Sequence, residues 1–70
     1  MNSHPSDSTA VAVEWANNVL INCKTIDDLD KCSDVEWVAE NGEKAGLNGD
    51  QIAIAYAILL KDYLKAIGRA

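Results

Sequence analysis

Apolar residues recur along this chain at helical rather than strand spacing. At about 100° per residue, Ala12, Trp15, Ala16, Val19, Leu20 and Cys23 fall on one face, with Glu14, Asn17, Asn18 and Asn22 opposite. This predicts an amphipathic helix over 9–22. A second stripe, Val35, Val38, Ala39, Gly42 and Ala45, predicts a helix over 34–44. A third is wider: Ile52, Tyr56, Leu59, Leu60, Tyr63, Leu64 and Ile67, with Ala53 and Ala57 at its edge, predict a helix over 49–67. The alternation in "IAIAYAI" has strand character, but Ala is a poor strand former and "LLKDYLKAI" continues at helical spacing. Ile54 and Ile58 lie outside the main stripe. They are expected to pack against the first helix or, as an oligomer contact, against a second copy of the chain.

Capping chemistry marks where these helices begin. "SDVE" places Ser33 at an N-cap with Glu36 three residues on, the arrangement of a capping box. "LNGDQI" repeats the arrangement with Asn48 and Gln51, and Leu47 and Ile52 flank it at the spacing of a hydrophobic staple. "TIDD" offers Thr25 as the cap of a short helix over 26–31, with acids in the first turn where the helix dipole favours them. Asp7, Ser8 and Thr9 are equivalent candidates for capping the first helix. Gly42 weakens the third helix and "AGLNG" ends it. The expected fold is all-α: a small compact bundle of three main helices plus one short helix, with the C-terminal helix central. Residues 1–8 are expected to form a flexible polar tail carrying the solvated His4, and 9–70 a single helical domain.

The tripeptide "VEW" occurs twice, ending at Trp15 and at Trp37. The flanks do not match in register, so the repeat is no sign of duplication. Trp15 belongs to the core stripe of its helix. Trp37 points roughly 160° away from Val35, between Glu40, Asn41 and Lys44, and is expected to be the more exposed of the two. Two readings compete for it. In one, Trp37 folds back over the helix start, against Cys32 or under a neighbouring segment. In the other it is an exposed aromatic anchor beside a row of carboxylates, a residue type enriched at binding hot spots.

Composition narrows the function. Seventy residues allow one domain, 49% of them apolar, with no Phe and only Trp15, Trp37, Tyr56 and Tyr63 for aromatic bulk. No secretory leader is visible in "MNSHPSDST", and the longest apolar run, "IAIAYAILL", is nine residues, too short to span a bilayer. A cytoplasmic protein without a membrane contact is expected. Its Cys23 and Cys32 would then be reduced and act as small buried hydrophobes, with a disulfide the alternative if the chain is exported. Two cysteines nine apart and one tail histidine make a poor metal site, and "DDLD" lacks the Gly and distal Glu of a calcium loop. No metal, no cofactor and no catalytic group is expected, and the chain is read as not an enzyme. "NGDQI" has Gln51 where an acyl carrier protein would have its modifiable serine.

Charge is uneven. The net charge is −5, which disfavours direct binding to nucleic acid. Positions 27–50 hold eight acids against Lys31 and Lys44, while Lys61, Lys65 and Arg69 face only Asp62 near the end. "CKTIDDLD" and the later "LNGDQIAIAY" together resemble, over about a quarter of the chain, the Hha/YmoA group of small bacterial nucleoid-protein modulators. Those proteins hold their matching segments closer together. The resemblance implies binding to a DNA-associated regulator rather than to DNA. From the residues themselves, the expected function is a protein–protein interaction module of bacterial or phage type, a regulator or inhibitor. Asp34, Glu36, Trp37, Glu40 and Glu43 would bind and occlude a protein partner with a basic surface. A homodimeric structural protein whose acidic surface serves solubility is the alternative.

Overall fold

The computed structural model describes residues 5–68. Four helices follow in order, α1 (Pro5–Asn22), α2 (Ile26–Cys32), α3 (Val35–Lys44) and α4 (Gly49–Ala66), with no strand among the described residues. The chain is an all-α bundle in which α4 touches each of the other three helices, α1 most extensively. The C-terminal helix is therefore the centre, as its broad apolar stripe predicts. The expectations for His4 and residues 1–4 lie outside the described residues.

The first helix starts at Pro5, four residues before the position its apolar pattern predicts. Proline suits the first helical position, because its fixed φ fits and its missing N–H would be unbonded there anyway. Ala12 and Ala16 are fully buried, with Trp15, Val19, Leu20 and Cys23 half-buried beside them, so the predicted face is the face used. Asn22 ends α1 by donating its side-chain amide to the Asn18 carbonyl at 2.9 Å.

Thr25 caps α2, accepting from the Asp28 N–H at 3.1 Å, and Asp28 returns the favour by accepting from the Lys24 N–H at 3.1 Å. The start of α3 departs from expectation. Asp34, not Ser33, is its N-cap, and the Asp34 carboxylate accepts from the Trp37 N–H at 3.1 Å. Only two residues separate α2 from α3, and Ser33 is still committed to α2. Its N–H bonds to Leu29 O, and its hydroxyl donates to Asp30 O at 3.0 Å. Glu36 consequently stands at the second helical position, too early to close a capping box.

The α3–α4 junction is the most tightly specified. Gly46, at φ +91°, takes the left-handed conformation past the α3 C-cap. Its N–H bonds to Glu43 O at 3.0 Å and the Leu47 N–H to Gly42 O at 2.9 Å, together a Schellman motif. Asn48 and Gln51 then form the predicted capping box, with reciprocal bonds of 2.9 and 2.8 Å. Leu47 and Ile52 converge over Gly42, where an added Cβ would lie 3.5 Å from Leu47 Cδ1 and 2.9 Å from Ile52 Cγ1. Gly42 is thus a close-approach position, not merely a weak point in a helix.

The core is small. Ala16, Cys32, Val38, Leu47, Ala55 and Leu59 form its buried cluster, and among the described residues only Leu59 and Val38 are large side chains wholly out of solvent. Half-buried Trp15, Trp37, Ile52, Tyr56 and Ile58, among others, pack around them. Ala55 is buried while Ala53 and Ala57 are exposed, so α4 presents a somewhat different face from the one its bulky residues suggest. Ile58 rests on the chain's own core; Ile54 is half-buried outside that cluster.

Candidate functional site

The carboxylates of α3 share a face. Glu36, Glu40 and Glu43 lie within about 60° of one another around the helix axis and are all exposed. Val38 and Gly42, on the opposite side, are buried. Residues three and four apart on a helix are neighbours, so the three acids form a ridge of like charge. Among the described residues the one ion pair is Glu40 with Lys44, at 4.0 Å and with both side chains about 70% exposed. A pair that open to water contributes little and leaves the ridge negative. Asp34 is also exposed, but its carboxylate is held by the α3 N-terminus. Asp27, Asp28, Asp30 and Asp50 are exposed as well, extending the acidic surface onto α2 and the start of α4.

Trp37 does not stand free in that surface. It is half-buried, and its ring centroid lies 6.3 Å from that of Trp15, with the planes tilted by 32°. That separation lies within the range of favourable aromatic pairs. The expectation that Trp37 faces the polar side is corrected here, and so is the stripe that places Val35 in the core, since Val35 is 53% exposed. The physical reason is size. With four aromatic side chains in seventy residues, α3 gains more by rolling the Trp37 indole inward than by burying the smaller Val35. Trp37, Val38, Asn41 and Gly42 face inward instead. Asn41, half-buried among them, satisfies its amide by donating to Trp37 O at 2.9 Å.

Beside Trp37 opens a cleft of about 330 Å³, floored by Val19, Cys23 and Cys32 and rimmed by Asn22, Asp28 and Lys31. The two sulfurs are 3.1 Å apart, a juxtaposition missed by a reading along the chain. Cys32 is 3% exposed and Cys23 half-buried. Burial, then the hydrogen bond and charge of Cys23, push the Cys32 thiol up from 9.0 to about 12. The available signal was that Cys23, just past α1, continues the inward stripe of that helix. What could not be read was the direction in which the short α2 returns to it. Among the described residues, no three His, Cys, Asp or Glu side chains converge as a metal set. No helix there is long and apolar enough to cross a membrane.

Of the residues expected to bind a partner, Glu36, Glu40 and Glu43 form one surface. Asp34 stands at the helix end, and Trp37 turns inward to the cleft. No family model, no curated protein and no solved structure matches this chain.

Proposed function

We propose that the protein is a non-enzymatic interaction module that docks the carboxylate ridge of α3 onto a basic surface of a protein partner and occludes it, as a regulator or inhibitor would. The observation that supports this reading is the ridge itself. Glu36, Glu40 and Glu43 are exposed at i, i+4 and i+7, with a single loose lysine contact. Like charges at such spacing cost an isolated helix roughly 0.2–0.5 kcal/mol per pair. A solvated face needs no such run, whereas a basic partner relieves it on contact and is drawn in by the local field.

The test is affinity capture across a salt series, with the wild-type protein and a Glu40→Gln/Glu43→Gln variant compared side by side. A captured basic protein should associate more slowly with the variant and with a flatter salt dependence, while the circular dichroism of the variant stays unchanged. Capture and on-rates identical for the two chains at every salt concentration would sink the proposal. A homodimeric accessory protein is the second reading, favoured by Ile54 outside the core cluster and by Val11 and Ile21 in solvent. It requires a mass that doubles with concentration and reverts in Ile54→Ser.

A further inference from the structure

We propose that Cys23 and Cys32 are an oxidisable dithiol site, in which Cys23 reacts with a small-molecule disulfide and Cys32 then displaces the adduct to form an intrachain disulfide joining the end of α1 to the end of α2. Three observations carry it. First, the sulfurs are 3.1 Å apart in the folded chain, so a bond of about 2.05 Å needs a closure of only about 1 Å. Second, the two thiols differ in access. Cys23 is half-buried and lines two clefts, one shared with Trp37 and a second of about 290 Å³ beside Lys24 and Asp62. Cys32 is buried and lines only the first. Third, Cys23 sits just outside regular helix. It follows the last residue of α1, tied back by its N–H to Leu20 O at 3.0 Å, and precedes the Thr25 cap, whereas Cys32 ends a capped helix with its thiol 3.5 Å from Leu29 O.

These differences set the order of events. Thiol–disulfide exchange needs a thiolate with access to the reagent. The Cys32 thiol, pushed up to about 12 by its burial and by Cys23, stays protonated and shielded, which leaves Cys23 as the group that attacks. The Cys23 thiol loses its proton to water and its sulfur displaces one thiolate from the reagent, forming a mixed disulfide in the Trp37 cleft. The adduct removes the Cys23 hydrogen bond and charge, both of which raise the Cys32 pKa. Burial, the largest cause, still raises Cys32, so its proton leaves as its sulfur attacks the adjacent Cys23 sulfur and expels the second thiolate. One small disulfide is reduced to two thiols, which take up the two released protons, and two protein thiols are oxidised to one disulfide.

The experiment equilibrates the reduced protein with oxidised and reduced glutathione at graded ratios, quenches with acid, and reads intact mass and alkylation maps. Wild type should lose two hydrogens through a 23–32 linkage, with a glutathione adduct appearing transiently on Cys23. Its effective thiol concentration should exceed that of the same chain in denaturant by roughly tenfold or more, because folding already holds the sulfurs together. Cys32→Ser should stop at a stable adduct on Cys23, and Cys23→Ser should take up little glutathione. An effective concentration no higher folded than unfolded, a dominant intermolecular disulfide, or first reaction at Cys32 would each overturn the proposal. The wild-type comparison decides the matter even if a serine variant does not fold.

Discussion

Trp15 and Trp37 end the same tripeptide, yet they reach their shared contact from different surroundings. In α1 the indole sits beside fully buried Ala12 and Ala16, on a helix face that is apolar from Ala12 to Leu20. In α3 the indole lies at the margin of the buried face, one step from exposed Glu36, and Val35 is left in water. The first tryptophan belongs to a face that would be buried without it. The second determines which face is buried. In a domain this small, one large side chain can outweigh the periodicity of several small ones, because burial scales with area and large side chains are scarce.

The sharpest way to break this comparison is to remove each ring. Trp15→Ala and Trp37→Ala should each cost about 2–4 kcal/mol, somewhat less than full core truncations because both rings are partly solvated. That is a large share of the roughly 4–10 kcal/mol available to a domain of this length. The double variant should show a coupling of about 0.5–1.5 kcal/mol in a denaturation cycle. A Trp37→Ala cost within the range of ordinary surface substitutions would return Trp37 to the role of an exposed anchor.

A smaller effect separates the two candidates for the α3 cap. Asp34→Ala should destabilise by about 1 kcal/mol through the lost bond to the Trp37 N–H, and with it loosen the start of the helix that carries the ring. Asp34→Ser should recover most of that loss. If Asp34→Ala were silent in thermal melts, Ser33 would be the cap after all.

Much of this architecture was legible along the chain. The apolar stripe of α1, the caps at Thr25 and Asn48, the staple of Leu47 with Ile52 and the central place of α4 all follow from local spacing and local hydrogen bonds. What was not legible depended on how helices meet. Ser33 looked like a cap until the two-residue gap between α2 and α3 committed its hydroxyl to Asp30 O. Trp37 looked outward because a helical wheel weighs positions equally and the bundle does not. The cysteine pair needed the return path of α2, which no pattern within either helix encodes.

Two weak substitutions complete the series. Val35→Ala should change stability by less than about 0.5 kcal/mol, the value for a surface position, although its place in the stripe suggests a core residue. Chemical denaturation of that single variant checks the rotation of α3 directly. Glu40→Gln in an isolated α3 peptide should leave helicity equal or slightly raised, by about a few tenths of a kcal/mol, since repulsion from Glu36 and Glu43 outweighs the 4.0 Å lysine contact. A clear loss of helicity would mean that the Lys44 pair is stronger than its exposure implies.

The Leu47 junction has a consequence for the order in which the chain folds. One side chain both closes α3 and opens α4, over Gly42 and Ile52, which are only ten positions apart. Closing a loop of about ten residues takes on the order of 10–100 ns, whereas α1 must be brought across the intervening chain to meet α4. The α3–α4 hairpin is therefore expected to be formed in the rate-limiting ensemble and α1 to dock late. Leu47→Ala should slow refolding and leave the unfolding rate nearly unchanged, while Val19→Ala in α1 should mainly hasten unfolding. Stopped-flow folding arms shifted the other way round would place nucleation on the long α1–α4 contact instead.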